Sequence, residues 1–310
     1  MSERAGIKAD SVGGENVGIE PGGVGSEGGC ILLAATPIGN PGDASQRLRD
    51  AIASADIVAA EDTRRFRNLS SRLGIEVSAQ VVPLHDHNEA AKGPWLVERA
   101  LSGETVLVVS DAGTPTVSDP GFQLVRLAEA AGVRAVPLPG PSAALAALSV
   151  SGLPTDRFVF EGFLPRKKSE QSRALASLAT EPRTIILFES PRRTAQTLAN
   201  LAEAFGEDRP AALCRELTKT YEEVVRGSLD ELAALTAETE VLGEVTLVVG
   251  GYDASLEAPV DADSLAREVL ELASGAGLRL KDAAAQVAER SGIRKNQLME
   301  AALKFRAEES

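Results

Sequence analysis

The residues best suited to chemistry in this chain form a run of small and acidic residues after an apolar, β-rich segment. Residues 106–109 read Val-Leu-Val-Val, and residues 110–121 follow with two aspartates, two glycines and two prolines. Such a run is typical of a buried strand that delivers a loop to a ligand, because ligands of open α/β sheets lie at the carboxyl ends of strands. Gly113 has no Cβ and proline fixes φ, so we expect a stiff wall of peptide groups that approaches a ligand closely.

The two histidines of the chain, His85 and His87, flank Asp86. Alternating histidines on an extended segment point to the same side and could ligate a metal. However, the sequence has no further histidine and no Cys-x-x-Cys pair to complete a nitrogen or sulfur shell, so we predict no metal site. Two interpretations stay open: the histidines position a substrate, or the segment is a strand-end network in which Asn88 caps the following helix.

The elements that must position these residues alternate between strand and helix in the first half of the chain. Apolar runs predict strands at residues 30–35, 56–60, 77–83, 106–109 and 133–138, and amphipathic patterns predict helices at 63–73, 88–101, 122–131 and 142–150. This alternation predicts a mostly parallel sheet with helices on both faces, and hence the α/β fold class.

The order of elements changes after a break at residues 151–155. Strands predicted at residues 211–216 and 221–227 have no helix between them, which implies antiparallel pairing and a second, mixed sheet. Residues 281–298 have the proportions of a helix-turn-helix, although a plain helical hairpin fits the same pattern. We predict a disordered tail, two α/β domains and a helical segment, at residues 1–29, 30–152, 153–252 and 260–310 respectively.

The composition is that of a globular protein, with 44% hydrophobic and 25% charged residues among 310. Two cysteines, Cys30 and Cys214, imply no disulfide framework. No apolar run approaches the roughly 18 residues that a membrane span needs, and the N-terminus lacks the order of a signal peptide. We therefore expect a soluble, cytoplasmic protein that does not bind a membrane.

Six motifs follow one another along the chain: Thr36-Pro37-Ile38-Gly39-Asn40, Ala60-Glu61-Asp62-Thr63-Arg64, Leu84-His85-Asp86-His87-Asn88-Glu89, Ser110-Asp111-Ala112-Gly113-Thr114-Pro115, Pro137-Leu138-Pro139-Gly140-Pro141-Ser142 and Arg215-Glu216-Leu217-Thr218-Lys219-Thr220. Together they resemble the tetrapyrrole methylase superfamily, in the branch that methylates the ribose 2′-hydroxyl of a cytidine in small-subunit (16S) ribosomal RNA. The resemblance covers about residues 30–251. It implies two α/β domains with a cleft between them for S-adenosylmethionine, and a homodimer. The cofactor contacts that it implies are Ile38, Gly39, Asn40, Asp111, Ala112, Gly113, Thr114, Ser142 and Ala143.

The implied substrate is ribosomal RNA, free or within the 30S subunit, although the net charge of −13 opposes phosphate binding. Local charge differs, because seven basic residues outnumber three acidic ones between residues 163 and 194. A solvated helix face explains such a run as well as an RNA contact does. If the cations flank the cleft, we expect the RNA contacts to be Arg64, Arg65, His85, Arg166, Lys167, Lys168, Arg192 and Lys219.

Methylation of a ribose hydroxyl is helped by a general base, which accelerates such a step roughly 10²- to 10⁴-fold. We expect the base to be Glu189, Asp62 or His87, and the remaining candidates are His85, Asp86 and Glu216. Glu189 and Glu216 could equally be satisfied ion pairs between strands, and the sequence leaves this open.

Two other functions remain possible at this level. The run Asn40-Pro41-Gly42-Asp43 approaches the first loop of the corrin and sirohaem enzymes, which keeps a tetrapyrrole methyltransferase as an alternative. A non-catalytic regulator that binds nucleic acid through residues 280–303 is the third hypothesis.

Overall fold

The computed structural model of the chain describes residues 28–254, 262–275 and 277–308. The tail predicted at residues 1–29 lies outside the described residues except for its last two. Within the described residues the chain forms two five-stranded sheets, their flanking helices and three helices at the C-terminal end.

The first sheet is parallel throughout, with the strand order β3-β2-β4-β1-β5. Leu32 and Leu107 pack on one face with α1 and α2, whereas Ile31 and Val106 pack on the other with α3 and α4. The predicted parallel sheet with helices on both faces is therefore confirmed. Its elements are β1 (Cys30–Ala34), α1 (Gln46–Ser54), β2 (Ile57–Ala60), α2 (Thr63–Arg72), β3 (Gln80–Pro83), α3 (Asp86–Leu101), β4 (Thr105–Val109), α4 (Phe122–Ala130) and β5 (Arg134–Leu138).

Strand β3 is shorter than the sequence predicts. Residues 77–79 lie outside it, because β2, the strand that pairs with β3, has only four residues. Val77 and Ala79 instead pack against the core beside α1 and α2. The apolar pattern thus predicts correctly that Val77 and Ala79 pack against the core, but it wrongly places them in a strand.

The strand order decides which loops meet. Because β4, β1 and β5 are neighbours, the loops that follow them leave the same edge of the sheet side by side. These are residues 110–121, 35–40 and 139–142, the Gly- and Pro-rich segments of the sequence. The cofactor loops implied by the sequence are therefore adjacent in space.

The second sheet is mixed, with the order β6-β7-β10-β8-β9, in which β6 and β7 are parallel and the other pairs are antiparallel. The antiparallel pairing expected for β8 and β9 is thus confirmed. One face packs on the helices α6, α7 and α8. The elements are β6 (Phe158–Phe163), α6 (Lys168–Leu178), β7 (Thr184–Glu189), α7 (Pro191–Phe205), β8 (Pro210–Arg215), β9 (Glu223–Ser228), α8 (Leu229–Glu238) and β10 (Val245–Val249).

Helix α5 (Ala143–Ser151) follows the first sheet in sequence but packs on the other face of the second sheet. Its small residues Ala144 and Ala147 lie against Ile186 and Ala212 of the strands. Ile38, from the loop after β1, belongs to the same apolar core. One core therefore ties a loop of the first sheet to the face of the second.

The C-terminal helices are α9 (Ala266–Gly275), α10 (Leu280–Ser291) and α11 (Lys295–Glu308), and they share a small apolar core. Helix α10 ends at Gly292, whose φ of 74° suits a left-handed C-cap, and three residues separate α10 from α11. Among the described helices, none is both long and apolar enough to cross a membrane. The domain boundaries given above stay predictions.

Glu89 in α3 anchors the start of α4. Its side chain is buried, and Oε1 accepts hydrogen bonds from the backbone N–H groups of Gly121 at 3.1 Å and Leu124 at 2.9 Å. The first N–H groups of a helix have no partner within it, and Gly121 at the N-cap has no side chain to supply one. The carboxylate of Glu89 therefore fixes where the loop at residues 110–121 ends.

We expect Glu89→Ala to lower the free energy of unfolding by about 2–4 kcal/mol, because two buried N–H groups lose their acceptor. Glu89→Gln keeps an acceptor oxygen and should lose less than half as much. Urea denaturation measures both. Glu98→Ala, at an exposed position of the same helix, should change stability by no more than about 0.5 kcal/mol. Equal losses for Glu89→Ala and Glu98→Ala would contradict the assignment.

Candidate functional site

A cavity of about 410 Å³ lies between the loops of the first sheet and the ends of β7 and β10. The first half of the chain contributes seven of the predicted cofactor residues to its wall. These are Ile38, Asp111, Ala112, Gly113, Thr114, Ser142 and Ala143. The second half contributes Phe163, Phe188, residues 189–191 and residues 243–246. The predicted Gly39 and Asn40 line neighbouring grooves instead.

Backbone and side-chain hydrogen bonds join the three loops. Thr36 N donates to Gly113 O at 2.9 Å, and Gly113 N donates to Thr36 O at 3.0 Å. The Thr114 hydroxyl donates to the carbonyl of Pro141 at 3.3 Å. Small residues at these positions therefore allow the loops to lie close to one another, in addition to allowing the backbone to approach a ligand.

Two loops beside the cavity hold strained backbone. Among the described residues, the non-glycine residues with positive φ are Thr116 and Ser118 after β4, and Glu216 and Thr218 after β8. Each such conformation costs of the order of 1–3 kcal/mol and persists only where the surroundings enforce it. Thr218 is held from both sides, since Asn40 N donates to its hydroxyl at 3.1 Å and its own N–H donates to Glu222. Strain in this protein thus concentrates at the cleft.

Three acids crowd one side of the cavity. Asp111 N donates to Glu61 Oε2 at 3.0 Å, and Asp111 itself accepts from the N–H of Asp62 at 3.1 Å. Burial raises the pKa of Glu61 and of Asp111 above their usual values. Burial and the charge of Glu61 raise the pKa of Asp119 to about 7. The cavity therefore attracts a cationic group and contains a carboxyl that titrates near neutral pH.

A groove lined by arginines opens beside this cavity and has a volume of about 490 Å³. Arg64, Arg65 and Arg72 of α2 line it, and it shares Ile38 with the cavity. The Arg65 guanidinium lies 3.2 Å from Asp111 Oδ2. The predicted RNA contacts of α2 therefore adjoin the predicted cofactor loops.

The predicted RNA contact Lys219 is engaged within the protein. Its Nζ lies 2.7 Å from Glu216 Oε1 and 3.0 Å from Glu244 Oε2. Although burial opposes the shift, the hydrogen bond from Lys219 lowers the pKa of Glu216. Lys219 also leaves no room for a side chain at Gly39, where a Cβ would lie 2.4 Å from Lys219 Cγ. Glu216 is thus in an ion pair, although the pair lies within its own loop rather than between strands, and Lys219 links this loop to Glu244.

The second basic run is exposed near the cavity. Arg166, Lys167 and Lys168 follow β6, and Arg192 lies at the start of α7. Arg193 joins the two segments by donating to the carbonyl of Leu164 at 3.2 Å. Phe163 precedes the run, lines the cavity with 57% of its surface exposed, and packs edge-to-face on Phe188.

Two of the predicted bases, Asp62 and Glu189, are engaged in hydrogen bonds within the protein. Asp62 caps α2 and accepts from the N–H groups of Arg64 and Arg65, and the hydrogen bond from the Arg64 side chain holds the pKa of Asp62 well below its usual range. Glu189 is buried and receives hydrogen bonds from Ser190 N at 2.7 Å and the Thr197 hydroxyl at 2.7 Å, with Arg193 at 3.4 Å. This geometry favours structural roles for both carboxylates.

The histidine segment is a capping network. His85 is the N-cap of α3, and Asn88 Oδ1 accepts from its backbone N–H at 2.9 Å. His85 and His87 are both exposed, and neither lines the cavity. The capping interpretation of Asn88 is therefore confirmed. In the described part of the chain, no cluster of three or more His, Cys, Asp or Glu side chains could hold a metal ion.

The cavity wall also contains residues that the sequence did not predict as site residues, namely Glu61, Asp119, Phe188 and Glu244. A signal existed for both acids. Glu61 directly follows β2 within a motif, and Asp119 belongs to the run of small and acidic residues that follows β4. Phe188 and Glu244 are brought in by the antiparallel pairing of β7 with β10, which no local pattern reveals.

The cavity fits a ligand that combines an apolar part, hydrogen-bonding groups and a positive charge. Ile38, Phe188 and Val245 supply apolar wall, the joined loops supply peptide groups, and Asp111 and Asp119 supply negative charge. Its volume lies within the roughly 300–1,000 Å³ of small-molecule sites. S-adenosylmethionine has these features.

Comparisons with known proteins agree with this geometry. The family model described as Tetrapyrrole (Corrin/Porphyrin) Methylases matches residues 31–233, and the model described as RsmI C-terminal HTH domain matches residues 258–306. The latter favours the helix-turn-helix over the plain helical hairpin that fits the same sequence pattern.

Curated relatives cover almost the whole chain. Ribosomal RNA small subunit methyltransferase I of Mycobacterium tuberculosis is 52% identical over 281 residues, which are 90% of this chain and 96% of the relative. The protein of the same name from Escherichia coli O157:H7 is 44% identical over 277 residues, 89% and 95% of the two chains.

Solved structures share the fold at low identity. Uroporphyrin-III C-methyl transferase from Thermus thermophilus, complexed with S-adenyl homocysteine, aligns with a TM-score of 0.52 at 20% identity over 72% of this chain and 97% of its own. Diphthine synthase aligns with a TM-score of 0.55 at 20% identity over 72% of this chain and 90% of its own.

We expect Glu189→Gln to reduce the free energy of unfolding by about 1–3 kcal/mol, because the buried side chain loses its charge-assisted hydrogen bonds. Methyl transfer by the folded variant should stay within about threefold of wild type. Thermal unfolding and single-turnover assays below the melting transition measure the two effects. A loss of more than a hundredfold in rate with unchanged stability would instead make Glu189 catalytic.

Proposed function

The chain belongs to the tetrapyrrole methylase family, and from this premise we propose that it transfers a methyl group from S-adenosylmethionine to the 2′-hydroxyl of a cytidine in 16S ribosomal RNA. The observation that carries the proposal is the cleft itself, in which a cavity for the donor opens into an arginine-lined groove. The names of the relatives, which cover about 90% of this chain, support the rRNA substrate.

In this proposal the three joined loops bind the donor. When bound, S-adenosylmethionine supplies a methyl group on a cationic sulfur. Ile38 and Ala143 contribute apolar wall, peptide groups of residues 111–114 supply hydrogen bonds, and Asp111 supplies negative charge. Positioning of donor and hydroxyl is the larger catalytic effect, since orientation accounts for about 7–11 kcal/mol of a barrier in favourable cases.

The RNA lies along the arginine groove and the exposed basic loop. Arg64, Arg65 and Arg72 line the groove, and residues 166–168 and Arg192 are exposed and follow the cavity residues Phe163 and Pro191. Local cations near the cavity are compatible with an acidic protein that binds RNA, because phosphate contacts depend on local charge. Lys219, in contrast, shapes the cleft through its two ion pairs.

The C-terminal helices provide a further RNA contact in this proposal. Arg294, Asn296 and Gln297 are exposed at the turn and at the start of α11. In helix-turn-helix modules the N-terminal residues of the second helix contact nucleic acid. The third hypothesis, a regulator without catalysis, leaves the cavity and its strained loops without a purpose.

The tetrapyrrole alternative has no structural observation in its favour. Residues Pro41–Asp43 form a 3₁₀ turn capped by Asn40, which explains this run as a local turn.

We also propose that the protein acts as a homodimer in the cytoplasm. Exposed Leu145, Val150 and Phe158 on α5 and β6 are apolar surface suited to a second copy.

The direct test incubates the protein with labelled S-adenosylmethionine and small ribosomal subunits from a strain that lacks it. We expect one methyl group on the ribose of one cytidine, located by mass spectrometry of RNA fragments. Subunits from the parent strain are the control and should accept no label. Label on a base contradicts the proposal. So does a protein that leaves the subunits unlabelled and methylates only tetrapyrrole precursors offered in their place.

Ala112→Leu should weaken S-adenosylhomocysteine binding at least about tenfold, because a larger side chain enters the donor cavity and displaces contacts worth roughly 1–3 kcal/mol. Titration calorimetry measures the affinity. Ala53→Leu, at an exposed position of α1, is the matched control and should bind as wild type does. Unchanged affinity for Ala112→Leu would move the donor site elsewhere.

Reversal of Arg166, Lys167 and Lys168 to Glu should weaken binding of the RNA or the subunit. The slope of log affinity against log salt should fall by roughly 0.7–0.9 for each lost phosphate contact. Filter binding at several salt concentrations measures this. The control reverses Arg47, Lys92 and Arg126 on α1, α3 and α4. Unlike the run that follows the cavity residue Phe163, none of these three lies within five residues of a residue that lines the donor cavity. An equal effect of both triple variants would show that only net charge matters.

A further inference from the structure

We propose that Asp119 is the general base that takes the proton from the attacking ribose hydroxyl; this rests on the methylation proposed above. In the step, a bond forms between the 2′-oxygen and the methyl carbon, and the carbon–sulfur bond of the donor breaks with its electron pair going to sulfur. The hydroxyl proton goes to a carboxylate oxygen of Asp119 and later to water. Charge and atoms balance without any further reactant.

The position of Asp119 suits this role. It lines the same cavity as the loop residues 111–114, so it faces the space where the donor binds. Strand β6 lies on its other side, since a Cβ on Gly162 would lie 3.0 Å from Ser118 Oγ, and the exposed basic run follows this strand. Phe163 then follows at the mouth of the cavity. Asp119 therefore lies between the donor loops and the surface proposed for RNA.

The loop around Asp119 is held in one conformation. Thr116 N donates to Pro120 O at 3.3 Å, and Glu89 accepts from the N–H group of Gly121, the residue directly after Pro120. Thr116 and Ser118 both adopt positive φ, which such anchors enforce. A base must keep hydrogen-bond reach of its proton, and this backbone provides that geometry.

The other acids of the cavity are engaged. Glu61 Oε2 accepts from Asp111 N, and Asp111 interacts with Asp62 N and with Arg65. Glu189 accepts from Ser190 and Thr197, and Glu244 pairs with Lys219. No described ion pair involves Asp119, and the Ser110 hydroxyl, which also donates to Gly113 O at 3.3 Å, is the polar group that lowers its pKa. Among the cavity acids of the described chain, Asp119 is thus the one whose carboxylate can accept a proton without breaking an ion pair or a backbone hydrogen bond.

The electrostatic surroundings set the strength of this base. Burial, Glu61 after β2, Asp111 after β4 and Asp86 of α3 all raise the pKa of Asp119, while the Ser110 hydroxyl opposes the rise, with a result of about 7. A general base works best with a pKa near the working pH. The carboxylate is the active form, so the rate should rise with pH through the pKa and then level off.

The first experiment compares wild type with Asp119→Asn in single-turnover methylation of small subunits. We expect the rate to fall by about 10²- to 10⁴-fold. Binding of S-adenosylhomocysteine by calorimetry and of subunits by filter binding should each stay within about threefold. A rate within threefold of wild type, or a loss of donor binding that accounts for the whole effect, overturns the proposal.

The second experiment measures the pH dependence of kcat/KM and uses variants that keep Asp119. Wild type should show an inflection near pH 7. Glu61→Gln removes a charge that raises the pKa of Asp119, so the inflection should move to lower pH. Ser110→Ala removes the hydrogen bond that lowers it, so the inflection should move to higher pH. If Glu61→Gln abolishes the inflection, Glu61 is the base and the proposal is overturned; unmoved inflections in both variants overturn it as well.

These outcomes separate the two proposals. A wild-type protein that methylates no RNA contradicts the proposed function, and the base assignment falls with it. A wild-type protein that methylates RNA while Asp119→Asn does so equally well contradicts the base assignment alone.

Discussion

The two backbone hydrogen bonds between Thr36 and Gly113 are the constraint on which the cleft depends. They join the loops after β1 and β4 beyond the point where the parallel ladder ends. This junction places Ile38 in the apolar core that α5 forms with the second sheet. Because the same residue lines the cavity, the position of the donor loops and the packing of the two halves are determined together.

The cleft separates opposite charges over a short distance. Glu61, Asp111 and Asp119 face the donor cavity, while the arginines of α2 face the groove beside it. Arg65 lies at the boundary through its ion pair with Asp111. A cationic donor and a polyanionic substrate can therefore bind in adjacent spaces. The same crowding of acids keeps the pKa of Asp119 near neutrality, so the electrostatics that attract the donor also adjust the proposed base.

Much of what resembles catalytic chemistry in the sequence is helix capping. Asp62 caps α2, Asn88 binds the N-cap of α3, and Glu89 caps α4 from a neighbouring helix. The cause is general: each loop after a parallel strand leads into a helix whose first N–H groups need acceptors. Polar residues at strand ends thus have two uses, and only contacts decide between them. Asp119 lies just before α4, but Glu89 already accepts from the first N–H groups of that helix, so this capping role does not engage the carboxylate of Asp119.

The sequence by itself determined the alternating strands and helices, the parallel first sheet and the pairing of β8 with β9, because these follow from local periodicity. The loops that line the cavity were implied by the resemblance of the six motifs to a known family. Only the tertiary structure decided which acids are engaged. Glu189 is satisfied by Thr197, eight residues away on the next helix, and the pKa of Asp119 is raised by burial and by Glu61, which follows a different strand. The burial of a side chain and the charges around it depend on groups that are distant in sequence. A local sequence pattern therefore cannot predict them.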